Sequence, residues 1–400
     1  MPDHTFLTLA AAATSALPDF DVAAVGPPQS ATDEWLSTAV LDRKKKRFTV
    51  RAARTETAAL KASAEAPILG RLLPLVHEGT LPFQVAQLLG SSHTEEGLPL
   101  VVYPELPGTP LDVAECAGEV ARSLGMGIAA IHNLAPTVVT DLDLPVEDAA
   151  TIRERWLAEM DEVARTSRVP SSLLNRWEQA LEDVALWQFA CCVIHGDLTG
   201  ENLTIDGDRL AAVTNWSGLR IGDPAEDLSW LLATAPEESL DTLHEAYAFA
   251  RTNAPDTHII DRALLLSELA LARWLLHGVR TENAAVIADA DDMLTTLARQ
   301  VGDDRPLGRT SPVIETGWEE TYDEAPDGEQ ALADGDAASG SHGEVRSSGS
   351  EPSDAEVSQT QASDAGQSET ELYPHADGDD SEAAKDDPVD EVDLYPRETR

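Results

Sequence analysis

Cysteine is scarce in these 400 residues: Cys116, Cys191 and Cys192 complete the set. Neighbours such as Cys191 and Cys192 cannot easily bridge each other, and no C-x-x-C spacing offers a zinc or redox motif, so a reducing compartment is expected. Positive charge is scarce too, with 28 Lys+Arg against 72 Asp+Glu and a formal net charge of -44. The one basic run, Arg43 to Arg47, is short. Nucleic-acid binding needs clustered cations, so no nucleic-acid partner is expected. No apolar stretch reaches the roughly 20 residues of a membrane span, and Asp3 and His4 stand where a secretory signal needs basic residues. The expectation is a cytoplasmic protein with no membrane partner. A glycine-rich phosphate loop before residue 47 is also missing.

What is present is a chain with 42% hydrophobic residues, enough for a substantial core, and a length that allows two or three domains. Its charge is unevenly spread. Residues 301–400 hold 28 Asp+Glu and 6 Lys+Arg, a net of -22, so a quarter of the chain carries half the charge. The stretch Ala331–Thr370 is Ser-, Gly-, Asp- and Glu-rich with few large apolar side chains. Such a composition cannot bury enough surface to offset the entropy of ordering, which predicts a disordered acidic tail over 302–400. Within it an acidic residue followed by Leu-Tyr-Pro occurs twice, at Leu372–Pro374 and Leu394–Pro396. These segments are either chance recurrences or docking motifs for a protein partner.

Ahead of the tail the patterning changes along the chain. Trp35 to Ala52 holds two β-prone runs around the charged turn, a hairpin whose second strand is expected to end at Arg51. Thr55 to Leu73 has helical spacing that Pro67 is expected to end or kink. "LPFQVAQLLG" and "GLPLVVYPELPG" are further strand candidates. From Val113 to Leu134, and from Thr151 to Ala190, Ala, Leu and Trp recur at three- and four-residue spacing, as in amphipathic helices packed on one another. Helical patterning returns in four segments between Glu226 and Val301.

Chemistry concentrates in "VIHGDLTGENLTIDGDRLAAVTNWSGLRIGDP". Asp197 and Asn202 lie on a loop between the apolar runs "CCVI" and "LTI", held at both ends by buried backbone. The Asp206-Gly207-Asp208 turn returns the chain through "LAAV", a hairpin that brings Asn202 nearly opposite Asn215. One carboxylate and two amide oxygens are thereby gathered into one cluster, as a phosphoryl-transfer site requires.

The pattern H-G-D-x-x-x-x-N, a hairpin, a residue before Trp, then G-D-P-x-x-D-L is carried here by His195, Gly196, Asp197, Asn202, Asn215, Trp216, Gly222, Asp223, Pro224, Asp227 and Leu228. It resembles the aminoglycoside and macrolide phosphotransferase family, the antibiotic-kinase-like branch of the protein-kinase-like fold. The resemblance implies a two-lobed α+β fold, with a small antiparallel β lobe over 20–106 that binds nucleotide and a larger helical lobe over 107–301. It implies ATP and Mg²⁺ as cofactors, a hydroxylated small molecule as acceptor, Asp197 as catalytic base, and Asn202 and position 215 as metal ligands. The family has Asp where this chain has Asn215, which still offers an oxygen but removes a full charge from the metal site. A chain that had lost the metal step would instead serve as a binding or scaffolding module through its acidic tail. The resemblance further implies a phosphate-binding cation, Arg51 with Arg54 as competitor, oriented by Glu65. It places an adenine-contacting hinge over Val102, Tyr103 and Glu105. Asp223 before Pro224 reads as a helix N-cap, Asp227 as structural, and His132 and His195 as packed or hydrogen-bonding residues and not bases. The tryptophans at 156, 177, 187, 230 and 274 read as packing residues, any of which an aromatic acceptor pocket could use.

Overall fold

The computed structural model describes residues 4–17, 20–32, 34–253, 256–302 and 307. The expected tail and its two Leu-Tyr-Pro segments lie outside them. The small lobe comprises α1 (His4–Ala16), β1 (Val22–Ala31), β2 (Trp35–Asp42), β3 (Arg47–Ala53), α2 (Glu56–His77), β4 (Gly90–His93) and β5 (Pro99–Pro104). Its five strands form one antiparallel sheet in the order β1-β2-β3-β5-β4. The charged turn between β2 and β3 is closed by Asp42, whose Oδ1 accepts from Lys46 N at 2.8 Å, and β3 continues two residues past the expected end. Side chains alternate across a strand, so Val40, Val50, Ala52, Leu100 and Val102 share one face. There they form a core with Leu9, Ala10 and Ala13 of α1. The opposite face carries Trp35, Arg51, Val101 and Tyr103, which line a cleft with α2.

Two expectations for this lobe are corrected. Helix α2 does not end at Pro67 but continues through it and Pro74 to His77. Each proline removes a backbone donor at a cost of about 3 kcal/mol in a helix interior. Burial of Ile68, Leu69 and Leu72, together with the Thr55 cap that accepts from Ala58 N at 3.1 Å, outweighs that cost. The run "LPFQVAQLLG" alternates as a strand should, with Leu81, Phe83 and Val85 buried, yet it meets no small-lobe strand until its last two residues, Leu89 and Gly90, reach β5. Instead Gln84 bridges to the large lobe: its N–H donates to Ala211 O at 2.8 Å and its carbonyl accepts from Val213 N at 3.0 Å.

The large lobe continues with β6 (Thr109–Pro110), α3 (Gly118–His132), α4 (Thr137–Thr140), α5 (Ala149–Arg165), α6 (Ser171–Glu182), β7 (Cys192–Ile194), β8 (Leu203–Asp206), β9 (Arg209–Val213), β10 (Arg220–Gly222), α7 (Glu226–Thr234), α8 (Glu237–Ala250), α9 (Ile259–Arg280) and α10 (Ala284–Val301). The expected helix from Val113 begins later, at Gly118, after one 3-10 turn, and the Thr151–Ala190 span divides into α5 and α6. One extensive core joins these helices around the fully buried Trp177 and Trp216. Helix α8 lies so close to α3 that a Cβ on Gly125 would stand 2.3 Å from Leu243 O. Among the described residues no helix is long and apolar enough to cross a membrane.

Candidate active site

Two short antiparallel pairs present the site. Strand β7 pairs with β10, and β8 pairs with β9 in a register that sets Leu203 against Val213. One step beyond that pair, Thr214 N donates to Asn202 O at 2.9 Å, so the hairpin brings the Asn202 and Asn215 loops together as its spacing predicts. Asp197 is exposed at the end of the β7 loop, while Asn202 and Asn215 are half-buried beside it. Asn215 Nδ2 donates to Asp197 Oδ2 at 2.8 Å, and Asn202 Nδ2 donates to the Asp197 carbonyl at 2.7 Å. Asn215 has φ 67° and ψ 50°, a left-handed conformation that Asn tolerates better than most residues.

With both amide nitrogens turned to Asp197, the Oδ1 atoms of Asn202 and Asn215 have no hydrogen-bond partner among the described residues. Two amide oxygens and one carboxylate are hard oxygen donors suited to Mg²⁺, which commonly takes one or two carboxylates plus substrate phosphates. They fit such an ion only weakly without phosphate. No group of three or more His, Cys, Asp or Glu side chains converges as a metal site among the described residues.

Beneath the loop lies a buried polar network. Asp227, fully buried on α7, accepts from His195 N at 2.8 Å and Gly196 N at 2.9 Å, and its Oδ2 lies 3.1 Å from His132 Nε2. His132 Nδ1 in turn lies 2.9 Å from the Tyr247 hydroxyl. His195 donates through Nε2 to Thr214 O at 2.9 Å and accepts from Asp197 N at Nδ1, and burial lowers its pKa, so it stays neutral. Gly196 has φ 81°, and a Cβ there would meet Arg220 Nη1 at 2.0 Å and Gly218 O at 2.3 Å, so only glycine fits. Both histidines are buried with their ring nitrogens hydrogen-bonded.

Burial opposes ionisation of Asp227, but the His132 hydrogen bond and charge, His195 and the Gly196 amide outweigh it and hold the carboxyl below its ordinary 3.8. A depressed folded-state pKa contributes stability that is present above the unfolded value and is lost as pH falls through the folded one. The stability gap between wild type and Asp227→Asn, measured by urea unfolding, is expected to stay constant above about pH 5 and to narrow below about pH 4.

Asp223 is not the expected N-cap, because α7 begins three residues later at Glu226. Its Oδ1 accepts from Ala225 N at 2.9 Å, and both oxygens receive the Arg262 guanidinium at 2.8 and 3.0 Å. Arg262 also binds Asp256 and lies 3.8 Å over the Phe189 ring, which ties α9 to the loop entering α7.

Across the cleft, Arg51 Nη1 stands 3.9 Å from Glu65 Oε2, and Glu65 Oε1 accepts from Trp216 N at 2.9 Å. Glu65 thus links the β3 cation to the residue that follows Asn215. Arg54, the competing cation, is bound instead to the carbonyl of Thr32 in the β1–β2 turn. For the hinge, the structure separates the three residues named from the sequence. Tyr103 lines the cleft beside Arg51 and Glu65. Val102 points into the small-lobe core and its carbonyl accepts from Leu89 N at 2.8 Å. Glu105 pairs with Arg47 at 2.6 Å, and its N–H donates to Arg47 O. The strand period of two puts the side chains of Val101 and Tyr103 on the cleft face and that of Val102 in the core. Trp35 and Thr214 also line this cleft, and the sequence singled out neither.

Comparison with known proteins agrees with this geometry. Residues 28–261 match the model of the APH family, described as "Phosphotransferase enzyme family". The viomycin phosphotransferase of Streptomyces vinaceus is 31% identical over 207 residues, which span 47% of this chain and 68% of that protein. Among solved structures, the macrolide 2'-phosphotransferase from Brachybacterium faecium superposes with a TM-score of 0.61 at 24% identity, covering 72% of this chain and 97% of that one. The GDP complex of aminoglycoside 2'-phosphotransferase-IIIa also gives 0.61, at 17% identity over 74% of this chain and all of that one. The two-lobed kinase-like fold expected from the sequence is the fold these structures share.

Proposed function

The chain belongs to the phosphotransferase enzyme family, and from that premise we propose that it moves the γ-phosphoryl group of ATP to a hydroxyl of a small molecule. One observation carries the reading: the exposed Asp197 carboxylate is held by Asn215, whose neighbours Thr214 and Trp216 meet the Arg51–Glu65 cleft, the first lining it and the second donating its N–H to Glu65. Nucleotide lies in that cleft, with its phosphates toward Arg51 and its base near Tyr103. Asp197 accepts the proton of the acceptor hydroxyl as that oxygen attacks the γ-phosphorus and the bond to the β-bridging oxygen breaks. Asn202 and Asn215 would hold Mg²⁺ through their amide oxygens, and the bound ion would neutralise charge on the phosphates.

Cationic, hydroxyl-rich acceptors suit the 197–202 loop, where Glu201 is exposed next to Asn202, and the viomycin-directed relative makes viomycin the first acceptor to try. The test is ATP consumption by the full chain against a panel of hydroxylated antibiotics and aminosugars, with Mg²⁺ varied. Turnover with at least one acceptor, lost in EDTA, supports the proposal. Asn215→Asp is expected to lower the Mg²⁺ concentration for half-maximal rate by about tenfold, since a carboxylate replaces a neutral amide at the ion. If neither wild type nor Asn215→Asp consumes ATP with any acceptor, the enzymatic reading is wrong.

A further inference from the structure

Trp35 has no role in the site as described so far, although it lines the cleft. It opens β2 and pairs in register with Ala53, two residues along β3 from Arg51, which places both side chains on the cleft face of the sheet. The Arg51 guanidinium lies over its ring, with Cζ 3.8 Å from the ring centroid. The cation is thus held across one face by the indole and near one edge by Glu65, with 19% of its side chain exposed. Among the described residues, the Arg51 guanidinium donates no hydrogen bond, so its N–H groups remain for a ligand in the cleft.

Resting on the phosphotransferase reading above, we propose that Trp35 is a positioning residue for nucleotide binding: it fixes the plane of Arg51 so that the guanidinium fork meets the nucleotide phosphates. A planar, delocalised cation stacks on an aromatic face and binds phosphate through two parallel donors. A lysine ammonium at position 51 has no plane to orient. The Arg51–Trp35 pair therefore accounts for arginine at this position in physical terms. Trp35 is also part of the β1–β2 turn, because its N–H donates to Thr32 Oγ1 at 3.0 Å and its carbonyl accepts from Thr32 N at 2.9 Å. The β1–β2 turn and the Arg51 cation are joined through this one residue, the first by its backbone and the second by its ring.

The test is a double-mutant cycle on the full chain, with ATP affinity measured by calorimetry for wild type, Trp35→Leu, Trp35→Phe, Arg51→Lys and Trp35→Leu/Arg51→Lys. Trp35→Leu is expected to weaken ATP binding roughly three- to tenfold, the range for loss of a partly desolvated cation–π contact. Trp35→Phe, which keeps an aromatic face, should stay within about twofold of wild type, and Trp35→Leu should add less than about twofold on the Arg51→Lys background. Wild-type affinity in a folded Trp35→Leu, or the same loss on both backgrounds, overturns the proposal and leaves the phosphotransferase reading standing. Absence of ATP binding by wild type overturns both. Should Trp35→Leu not fold, fluorescence decides: an ATP-induced emission change present in wild type and absent in Trp35→Phe supports the role, and an identical change in both overturns it.

Discussion

Replacing Asp197 with Ala is expected to lower the turnover of any acceptor the wild type phosphorylates by about a thousandfold, within the 10²–10⁴ range that a positioned general base contributes. ATP affinity should change by less than about threefold, because among the described residues Arg51, Glu65 and Trp35 hold one another with no hydrogen bond or ion pair to Asp197. Stability should stay within about 0.5 kcal/mol, since the residue is exposed and its backbone is held independently by His195 and Asn202. The split between turnover and binding is the informative result. A variant that keeps a tenth or more of the wild-type rate would remove Asp197 from the chemistry, and one that loses rate by unfolding would say nothing about protons. Both are separated by measuring rate constant, nucleotide affinity and thermal midpoint on the same preparation.

Asp223→Ala is expected to destabilise the protein by about 3–5 kcal/mol, because it strands the Arg262 guanidinium, 1% exposed, without the carboxylate that receives two of its donors. Asp256 remains as a partial counter-ion, so the loss should lie near the lower end of that range. The comparison that gives the number meaning is Arg273→Ala. Its Glu159 pair is equally well formed at 2.7 Å, but Arg273 is 44% exposed. Solvent screening limits such a pair to about 1 kcal/mol or less. Urea unfolding of both variants should show the contrast directly, and equal losses would mean that burial of Arg262 is not what makes Asp223 matter. Pairing Asp223→Ala with Arg262→Met should recover part of the stability, since the penalty comes mainly from the orphaned charge.

The loop of Asp197 and Asn202 and the hairpin after it were legible in the sequence because each signal there is local. An apolar run, a tight Asp-Gly-Asp turn and a second apolar run specify a hairpin from neighbours alone, and the hairpin then brings Asn202 and Asn215 together. The helices of the large lobe were legible for the same reason, their period being visible within 15 residues or so. What was hidden depends on partners distant in sequence. Nothing near Pro67 announces that Ile68, Leu69 and Leu72 will be buried and so override its helix-breaking tendency. Leu81 to Val85 alternates like a strand, and only the large lobe reveals that its backbone partner is β9. Asp223 looked like a cap because proline follows it, but its partner Arg262 is 39 residues away. Which side chains of β5 face the cleft was hidden too, because the β3–β5 register decides it.

The Gln84 bridge has a mechanical consequence. It is one of several fastenings between the small lobe and the large one: the 81–85 segment adds the buried Leu81, Phe83 and Val85, the Glu65 carboxylate of α2 accepts from Trp216 N, Arg71 pairs with Asp141, and Ile68, Leu69 and Leu72 of α2 belong to the large-lobe core. Fastenings spread along α2 and the 81–85 segment make α2 travel with the large lobe, so a motion that parted the two at that helix would have to strain all of them together.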